Sequence, residues 1–490
     1  MSSGSASPGP QSELDLWHPT GAPVHRLALG ARRAADGDED DPIDIAVVAP
    51  NPAEVDRASL EGAIGEATER LAPDGLLWVI VPRRWRRTAE RMLSRRGLAQ
   101  LDAILTVPAW PGAAHLVPIA PATLRDAGVR HLGLTPALAR AASVFVRTQI
   151  GAAVLRRTAP GCALLASRPP VPSTFRWLAD LDGAATVATA TIAAGTRDDA
   201  RVAVALRFAD GASTPDLVVK VPLDAGGRER LRHEREALEA LGAAAARAGA
   251  AVPVLRPLAR PGLLATAPLA GQPASAVLSR DAGQLARLAM AVADWLSAWG
   301  RTTASTTMAT SVLLDKLLLI PLEQVASALS TPPAYRDWLH GLAGRLEGHE
   351  LVLTAAHNDL TMANVLDAGD SIGVVDWEGA AGADLPLRDL WYSLADALTH
   401  AHGLTHAEAV EALVRPAPAT PAALAGAPAK LSAELSLSRD QSLLGFHACW
   451  LAHAGNELLR GQSDRPFLPV VRQVASAGLL WPGRDGPAPR

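Results

Sequence analysis

Short apolar runs alternate with amphipathic stretches in the first part of the chain. Residues 43–49 (IDIAVVA) and 76–81 (LLWVIV) are continuous apolar runs, which are typical of strands buried on both faces. Further elements follow the same rhythm: an amphipathic helix over 58–71, a basic helix over 83–96 that ends at Gly97, and strands over 101–107 and 115–119. Because strands and helices alternate, the pattern predicts a parallel or mostly parallel sheet.

A second pattern begins near Thr186, where strand-like segments follow one another before a helix appears. Strands are predicted over residues 186–193, 201–208 and 217–221, a helix over 229–241, and two more strands with a connector over 252–258 and 262–271. Residues 281–348 are predicted to be mostly helical, with Trp295 and Trp299 on buried faces. A sheet-rich region is therefore followed by a helical one.

The residues that carry chemistry are concentrated between 351 and 390. His357, Asp359, Asn364 and Asp376 lie there among apolar, strand-like runs. The runs on either side of the turn residues 368–371 predict a hairpin centred near residue 370, which would place Asn364 and Asp376 opposite each other. Two oxygen ligands would then face one point.

That arrangement suits one kind of reaction. Mg²⁺ prefers hard oxygen ligands and is usually held by one or two protein groups together with substrate phosphates. Asp359 precedes Asn364 by five residues and would lie beside such a metal, placed to receive the proton of a hydroxyl group. The combination predicts phosphoryl transfer to an alcohol.

Lys220 lies in the apolar strand predicted over 217–221, where a charge needs a partner. Thirteen residues separate it from Glu234 on the next predicted helix, and a strand lysine held by a helix glutamate and aimed at nucleotide phosphates is a kinase arrangement. Glu236 is the competing partner, on a different helix face. The spacing from Glu234 to Leu238 places Glu234 on the inward side, so we favour it.

Two further segments are candidates for nucleotide contacts. The loop that contains Gly195 and Thr196 would lay backbone N–H groups over phosphates, although an ordinary hairpin has the same signature. In the predicted connector, backbone groups from Thr266 to Leu269 would hold an adenine ring.

Composition narrows the class of protein. With 490 residues, of which 49% are hydrophobic, the chain is long enough for two to four domains with real cores. A net charge of −4 gives no electrostatic reason to expect nucleic acid or a membrane surface as a partner. The first residues have no secretory signal pattern, and no apolar run reaches the ~18 residues of a membrane span. A soluble cytoplasmic protein is therefore expected.

Cysteine and histidine usage predicts no structural metal site. Cys162 and Cys449 are too few for a disulfide framework and lack metal-site spacing. The histidines His400, His402 and His406 have no strand or helix frame that would fix them as ligands, so a polar loop is predicted there.

Three motifs in order carry a resemblance to a known family. Residues 357–364 (HNDLTMAN) match H-x-D-x-x-x-x-N, residues 374–378 (VVDWE) match a metal-binding aspartate segment, and residues 385–390 (LPLRDL) match Pro-x-x-Asp-Leu. With these motifs, the chain from about Thr186 to the C-terminal region resembles the aminoglycoside phosphotransferase family of the protein-kinase-like fold.

This resemblance implies ATP and Mg²⁺ as cofactors and a role for each site residue. It implies Asp359 as catalytic base or substrate-orienting carboxylate, His357 as support of the loop, Asn364 and Asp376 as Mg²⁺ ligands, Lys220 on the α- and β-phosphates, Glu234 as the residue that orients Lys220, and Asp389 as a structural brace. A protein kinase would carry arginine where Asn358 stands, so activation by phosphorylation through that residue is not expected.

The earlier part of the chain carries a second resemblance. Residues 43–50 (IDIAVVAP) and 67–82 (ATERLAPDGLLWVIVP), with the arginine-rich helix after them, resemble the second half of a class I S-adenosylmethionine-dependent methyltransferase domain. The glycine-rich cofactor loop of that family is absent, since residues 27–30 (LALG) contain no G-x-G, and without those glycines the backbone does not approach a cofactor closely. We expect a degenerate structural or interaction domain, with methyl transfer as a minor alternative and the basic helix as a solvated face.

Together these patterns predict an α/β N-terminal domain with a partial Rossmann-like sheet, followed by an α+β bilobal protein-kinase-like domain. The expected boundaries are 1–40 for a tail and lead-in, 41–140 for the methyltransferase-like domain, 141–185 for a linker, 186–271 for the N-lobe and hinge, and 272–490 for the helical C-lobe with its catalytic segment at 357–376. The expected function is transfer of the γ-phosphate of ATP to a hydroxyl group of a small molecule, such as a sugar, aminoglycoside or amino alcohol. A non-catalytic nucleotide-binding or scaffold protein is the alternative.

Overall fold

The structure is a computed structural model that describes residues 24–27, 43–48, 56–107, 115–118, 148, 161–168, 181, 189–194, 202–208, 214–222, 224–258, 262–416, 420–459 and 465–481. The chain divides into two compact units, and each is described by itself. Unit 1 comprises Met1–Arg232 and Leu255–Pro268, and unit 2 comprises His233–Val254 and Leu269–Arg490. The domain boundaries expected from the sequence stay predictions.

Ten strands in the described part of unit 1 form one sheet, in the order β1-β2-β3-β6-β4-β5-β7-β8-β9-β10. In chain order they are β1 (Val24–Leu27), β2 (Ile43–Val48), β3 (Leu71–Pro82), β4 (Ala99–Val107), β5 (His115–Pro118), β6 (Gly161–Ser167), β7 (Thr189–Ala194), β8 (Val202–Phe208), β9 (Leu217–Pro222) and β10 (Leu264–Thr266). The strands predicted before residue 120 and between 186 and 221 all have a counterpart in this sheet.

The prediction of a mostly parallel sheet is wrong beyond the first strands. Strands β1, β2 and β3 pair in parallel, but every later pairing in the sheet is antiparallel. The reason is β6, which is inserted between β3 and β4 and runs against both of them. Strands β3 and β4 therefore share a direction, as alternating strands and helices predict, without sharing hydrogen bonds.

Two helices pack on the first strands of unit 1. Helix α1 (Arg57–Arg70) begins at Asp56, whose carboxylate accepts a hydrogen bond from Ser59 N at 2.7 Å. Helix α2 (Arg86–Arg95) follows a short 3₁₀ turn, and Gly97 ends it with a φ of 72°. Their apolar faces form one core with β2, β3 and β6: Val48, Leu60, Ala63, Ile64, Ala67, Leu71, Leu77, Val79, Val81, Ala89, Met92, Leu93, Leu98, Leu164 and Ala166.

The boundary between the units falls within helix α3 (Ala225–Ala248), which extends the helix predicted over 229–241 at both ends. The segment predicted as a strand over 252–258 is not one. It makes isolated bridges instead, Ala251 with Gly373 and Leu255 with Thr266. The two prolines in this segment, Pro253 and Pro257, explain the difference, because proline has no N–H to donate to a ladder.

Unit 2 is mostly helical in its described parts. Its helices are α4 (Ala274–Val277), α5 (Ala282–Thr303), α6 (Ser311–Leu314), α7 (Ile320–Ala328), α8 (Pro333–Leu346), α9 (Arg388–His402), α10 (His406–Val414), α11 (Ala422–Glu434), α12 (Arg439–Leu459) and α13 (Phe467–Ala477). Its strands form two three-stranded sheets, β11 (Gln272–Pro273) with β14 (Val365–Asp367) and β15 (Ile372–Val374), and β12 (Ser305–Met308) with β13 (Glu350–Ala356) and β16 (Ala381–Asp384). The predicted polar loop at His400, His402 and His406 is wrong, since α9 and α10 contain these residues.

Tryptophans join helix α5 to the strands of unit 2. Trp295 and Trp299 stack with their ring centroids 5.3 Å apart, and Trp377 lies 5.2 Å from Trp299. The indole N–H of Trp299 donates to Ala355 O at 2.7 Å, on strand β13. The prediction that Trp295 and Trp299 belong to the core is confirmed, and the cluster gives the end of β13 a rigid support.

Among the described helices, we find none with the length and apolar character that crossing a membrane requires.

Candidate active site

The loop of residues 357–364 leaves strand β13 and is held at its start by Asp389. The carboxylate of Asp389, on helix α9, accepts hydrogen bonds from His357 N at 2.6 Å and Asn358 N at 2.8 Å. Asp389 is buried, and burial raises the pKa of its carboxyl while the two N–H donors oppose that rise. The brace role implied for this aspartate agrees with these contacts, because two consecutive backbone groups are fixed by one side chain.

His357 is a buried ring whose two nitrogens face backbone groups. Its Nε2 lies 2.9 Å from Val375 O, and its Nδ1 lies 3.3 Å from Asp359 N. Since Val375 O only accepts and Asp359 N only donates, the pattern assigns a neutral imidazole with its proton on Nε2. The ring also meets Trp377 edge to face, with centroids 4.9 Å apart. His357 thus links the start of the loop to the segment that follows β15.

Asn358 takes the left-handed backbone conformation, with a φ of 63°. Asparagine tolerates this conformation better than most residues, and here its Nδ2 donates to Gly379 O at 3.2 Å. The chain therefore turns at Asn358 and directs the next residue, Asp359, away from the line of strand β13.

Asp359 and Asn364 are joined across the loop. The side-chain Nδ2 of Asn364 donates to Asp359 O at 2.8 Å and lies 3.4 Å from the carboxylate oxygen Oδ2. Both residues are partly exposed, unlike the buried Leu360 and Met362 between them. Because the amide nitrogen is used inside the loop, the Oδ1 atom of Asn364 is the one left to bind a ligand.

The predicted hairpin exists, but its register differs by one residue from the prediction. The pairs run from Val365 with Val374 to Asp367 with Ile372, so the four-residue turn between them is centred between residues 369 and 370. Asn364 therefore lies opposite Val375, whose N–H donates to Asn364 O at 3.0 Å, and not opposite Asp376. Asp376 comes next and leaves the strand in the left-handed conformation, with φ 69° and ψ 60°. The two predicted metal ligands are near neighbours, but they are not a cross-strand pair.

Glu234 is buried and Glu236 is exposed, as expected for the inward and outward faces of helix α3. The Glu234 carboxylate accepts a hydrogen bond from Trp377 N at 3.4 Å, in the residue directly after Asp376. A buried carboxylate in unit 2 thus reaches the segment that carries a predicted metal ligand. This contact was not predicted, because 143 residues separate the two partners.

The predicted nucleotide residues of unit 1 lie on neighbouring strands. Lys220 on β9 is opposite Leu264, and Thr266 on β10 is opposite Val218. Residues that pair across strands, and residues two apart in one strand, share a face of the sheet, so the side chains of Lys220 and Thr266 lie on the same face. Leu269 belongs to unit 2, where its side chain packs against Gly373. Gly195 and Thr196 lie outside the described residues.

The donor set fits a magnesium ion better than a metal held by protein alone. Within the described ranges, no group of three or more His, Cys, Asp or Glu side chains is placed to hold a metal ion. Asn364 and Asp376 offer hard oxygen atoms in partly exposed positions. Mg²⁺ commonly takes one or two protein ligands and completes its shell with water and phosphate, so this pair is chemically adequate for it.

No protein-family model matches this chain. No curated protein matches it either.

The chain is similar to several solved structures. These include a macrolide 2'-phosphotransferase from Brachybacterium faecium (21% identity, 61% of this chain and 93% of that chain, TM-score 0.35) and a choline/ethanolamine kinase family protein from Mesorhizobium loti (19% identity, 62% and 92%, TM-score 0.38). A glucosamine kinase in complex with glucosamine, ADP and inorganic phosphate is a further one (16% identity, 59% and 82%, TM-score 0.32). Similarities with TM-scores this low do not assign a function to the chain.

Proposed function

We propose that the protein is an ATP-dependent phosphotransferase that moves the γ-phosphate to a hydroxyl group of a small molecule. The observation that carries the proposal is the contact between Asp359 and Asn364: the Asn364 amide nitrogen donates to the Asp359 backbone carbonyl at 2.8 Å and lies 3.4 Å from its carboxylate, which leaves the amide oxygen for a metal. A carboxylate and hard oxygen ligands on one braced loop are what phosphoryl transfer to an alcohol needs, since its catalysis is mostly positioning and charge stabilisation.

In this proposal Asp359 is the catalytic residue and His357 positions it. The Asp359 carboxylate orients the acceptor hydroxyl and takes up its proton as the oxygen attacks phosphorus. The neutral imidazole of His357 accepts the Asp359 N–H, and Asp389 holds the two residues before Asp359. Because these contacts are made by the chain's own residues, they hold the Asp359 segment in one arrangement and limit the reorganisation that the reaction requires.

The remaining residues bind the nucleotide and metal in the proposal. Lys220 contacts the α- and β-phosphates, Glu234 orients Lys220, and the loop at Gly195 and Thr196 covers the phosphates. The adenine ring is held by the chain between Thr266 and Leu269. Asn364 and Asp376 hold Mg²⁺, which when bound neutralises charge on the phosphate oxygens.

The fold that goes with this function is protein-kinase-like from about residue 186, with an appended methyltransferase-like domain before it. We propose the appended domain as a structural or interaction module, since its residues 27–30 lack the glycines of a cofactor loop. A soluble, cytoplasmic location and a small-molecule acceptor complete the proposal.

A consumption screen tests the proposal. Purified protein is incubated with Mg·ATP or Mg·GTP and a panel of hydroxyl-bearing metabolites, and nucleoside diphosphate release is measured with and without Mg²⁺. We expect Mg²⁺-dependent release that at least one acceptor stimulates, and a Mg²⁺-dependent rise in the unfolding temperature with nucleotide. A protein that neither binds nor turns over nucleotide contradicts the proposal. Binding without turnover across the panel favours the non-catalytic alternative.

A further inference from the structure

A second buried carboxylate contacts the 357–364 loop at its other end. Asp396 on helix α9 is 7% exposed, and its Oδ2 accepts a hydrogen bond from Met362 N at 2.6 Å. Met362 is 1% exposed, so no water replaces this acceptor at its N–H. A buried N–H that loses its partner leaves a hydrogen bond unmade without compensation from water, which makes this contact a strong constraint on the loop.

The constrained N–H belongs to the turn that presents Asn364. Asn364 N donates to Thr361 O at 3.0 Å, which makes residues 361–364 a β-turn with Met362 at its second position. The same turn fixes how Asn364 Nδ2 reaches Asp359. The hydrogen bond that fixes Met362 N therefore also stabilises the contact between Asn364 Nδ2 and Asp359.

Asp389 and Asp396 lie on one face of helix α9. Seven residues are almost two helical turns, so the two carboxylates are stacked along the helix about 10 Å apart. Asp389 holds the first residues of the loop and Asp396 holds the later turn. One helix face thus supports both ends of the loop.

Two imidazoles face the same carboxylate. Nε2 of His400 lies 3.7 Å from Asp396 Oδ2, and Nε2 of His406 lies 4.0 Å from Asp396 Oδ1. Thr399 also donates its hydroxyl to the backbone carbonyl of Asp396, at 2.8 Å. The two imidazoles flank the carboxylate, and its Oδ2 is directed at Met362 N.

We infer that Asp396 is a positioning residue for phosphoryl transfer, which acts by fixing the 361–364 turn through the Met362 N–H. The inference rests on the proposed function, because its consequence for rate exists only if Asp359 and Asn364 act in catalysis. It assigns helix α9 a role beyond its first turn.

The test uses variants that remove the carboxylate and variants that replace its effect. The expected result for Asp396→Ala is a fall of about tenfold in kcat for Mg·ATP turnover with water as acceptor. Asp396→Asn keeps an oxygen acceptor of the same size and should retain at least about a third of kcat. Asp440→Ala removes an aspartate bridged to Arg345 on the surface and should leave kcat unchanged.

A rescue separates positioning from packing. Proline is favoured at the second position of a β-turn, so Met362→Pro in the Asp396→Ala background should fix the turn without the carboxylate. Met362→Ala in the same background also truncates the side chain but leaves the turn free. We expect the proline double variant to have a kcat at least about threefold above the alanine double variant. Equal values for the two double variants, or an Asp396→Ala enzyme with wild-type kcat, would overturn the inference.

The same variants also decide the inference if Asp396→Ala does not fold or if the wild-type protein has no turnover. If Asp396→Ala does not fold, recovery of folded protein by proline and not by alanine at residue 362 supports the inference, and recovery by neither overturns it. A wild-type protein that turns over no nucleotide defeats the proposed function on its own. Amide exchange at residues 363 and 364, which keep their N–H groups in every variant, then decides whether Asp396 fixes the turn: exchange must rise in Asp396→Ala and fall again in the proline double variant.

Discussion

Two regions of this molecule are built on buried apolar strands, yet their buried polar side chains make different kinds of hydrogen bond, local in one region and long-range in the other. In the described part of the β2–α1–β3 core of unit 1 and strand β6, the buried polar residues are Thr68 and Ser167. Each bonds to a carbonyl nearby in sequence, Thr68 to Ile64 O and Ser167 to Arg168 O. These bonds satisfy local groups and hold no distant segment.

Around the 357–364 loop of unit 2, buried acidic groups hold backbone amides far away in sequence. The contacts from Asp389 to His357, from Asp396 to Met362 and from Glu234 to Trp377 span 32, 34 and 143 residues. Burying a carboxylate carries a desolvation penalty. In this region the buried carboxylates are found where their hydrogen bonds hold a loop in one conformation. Long-range polar bracing, more than polarity itself, distinguishes the candidate site from the ordinary core.

The largest expected effect separates the proposed metal ligand Asp376 from Asp370, which lies in the turn of the preceding hairpin. Asp376→Asn should lower Mg·ATP turnover on the order of a thousandfold, because the proposed function makes this carboxylate a ligand of Mg²⁺ at the reacting phosphate. Asp370→Asn is the matched control, since Asp370 is exposed in the turn of that hairpin, and it should remain within about twofold of wild type. Steady-state turnover over a Mg²⁺ titration measures both. Similar losses in the two variants would show that Asp376 has no special role.

The next prediction compares the stability that the long-range hydrogen bonds of Asp389 provide with the stability that the local hydrogen bond of Thr68 provides. Asp389→Ala leaves the N–H groups of His357 and Asn358 without their acceptor in a buried place, which should cost about 3 kcal/mol of unfolding free energy. Thr68→Val in unit 1 removes one intrahelical bond and should cost less than about 1 kcal/mol. Urea unfolding of the two variants provides the comparison. If Asp389→Ala costs no more than Thr68→Val, the distinction between the regions is lost.

A smaller effect decides between two glutamates on helix α3. Glu234→Gln keeps the acceptor for Trp377 N but removes the charge, and should raise the KM for ATP about tenfold. Glu236 is exposed, so Glu236→Gln should change KM less than about twofold. Initial rates over a range of ATP concentrations distinguish them. A larger rise in KM for Glu236→Gln than for Glu234→Gln would assign the orientation of Lys220 to Glu236.

The last effect concerns the protonation of a buried histidine outside the loop. Burial lowers the pKa of His447 to about 3, while the unfolded chain titrates near its usual value of about 6.5. Between these pH values the unfolded state binds the extra proton, so stability falls by about 1.4 kcal/mol per unit as pH decreases. His447→Gln should remove that part of the slope, which urea unfolding from pH 6.5 to 4.5 measures. An unchanged slope would mean that His447 does not titrate on unfolding.

Local sequence signals predicted much of this structure. The strands and helices before residue 120 follow from their apolar spacing, and the loop motif follows because His357, Asp359 and Asn364 are close in sequence. Pairing was less predictable. Nothing in residues 161–167 indicates that they insert between β3 and β4, and the one-residue error at Asp376 arose because register depends on where the turn is centred.

The contacts that brace the loop could not be predicted from spacing. Glu234, Asp389 and Asp396 lie on helices whose pattern reports which side is buried and not which backbone group a carboxylate meets. Asp389 was identified because it belongs to a motif, whereas Asp396 has only its place on the apolar side of helix α9. Hydrogen bonds between segments that are distant in sequence require the folded structure.

The Asp359→Asn variant tests the role of Asp359 in phosphoryl transfer, because it keeps the size of the side chain and removes its ability to accept a proton. Nucleotide binding is measured by the Mg²⁺-dependent shift in unfolding temperature, and turnover by nucleoside diphosphate release. We expect the variant to bind Mg·ATP within about threefold of wild type while turnover falls by at least about a hundredfold. Wild-type turnover in Asp359→Asn would contradict the claim that this loop is the phosphoryl-transfer site.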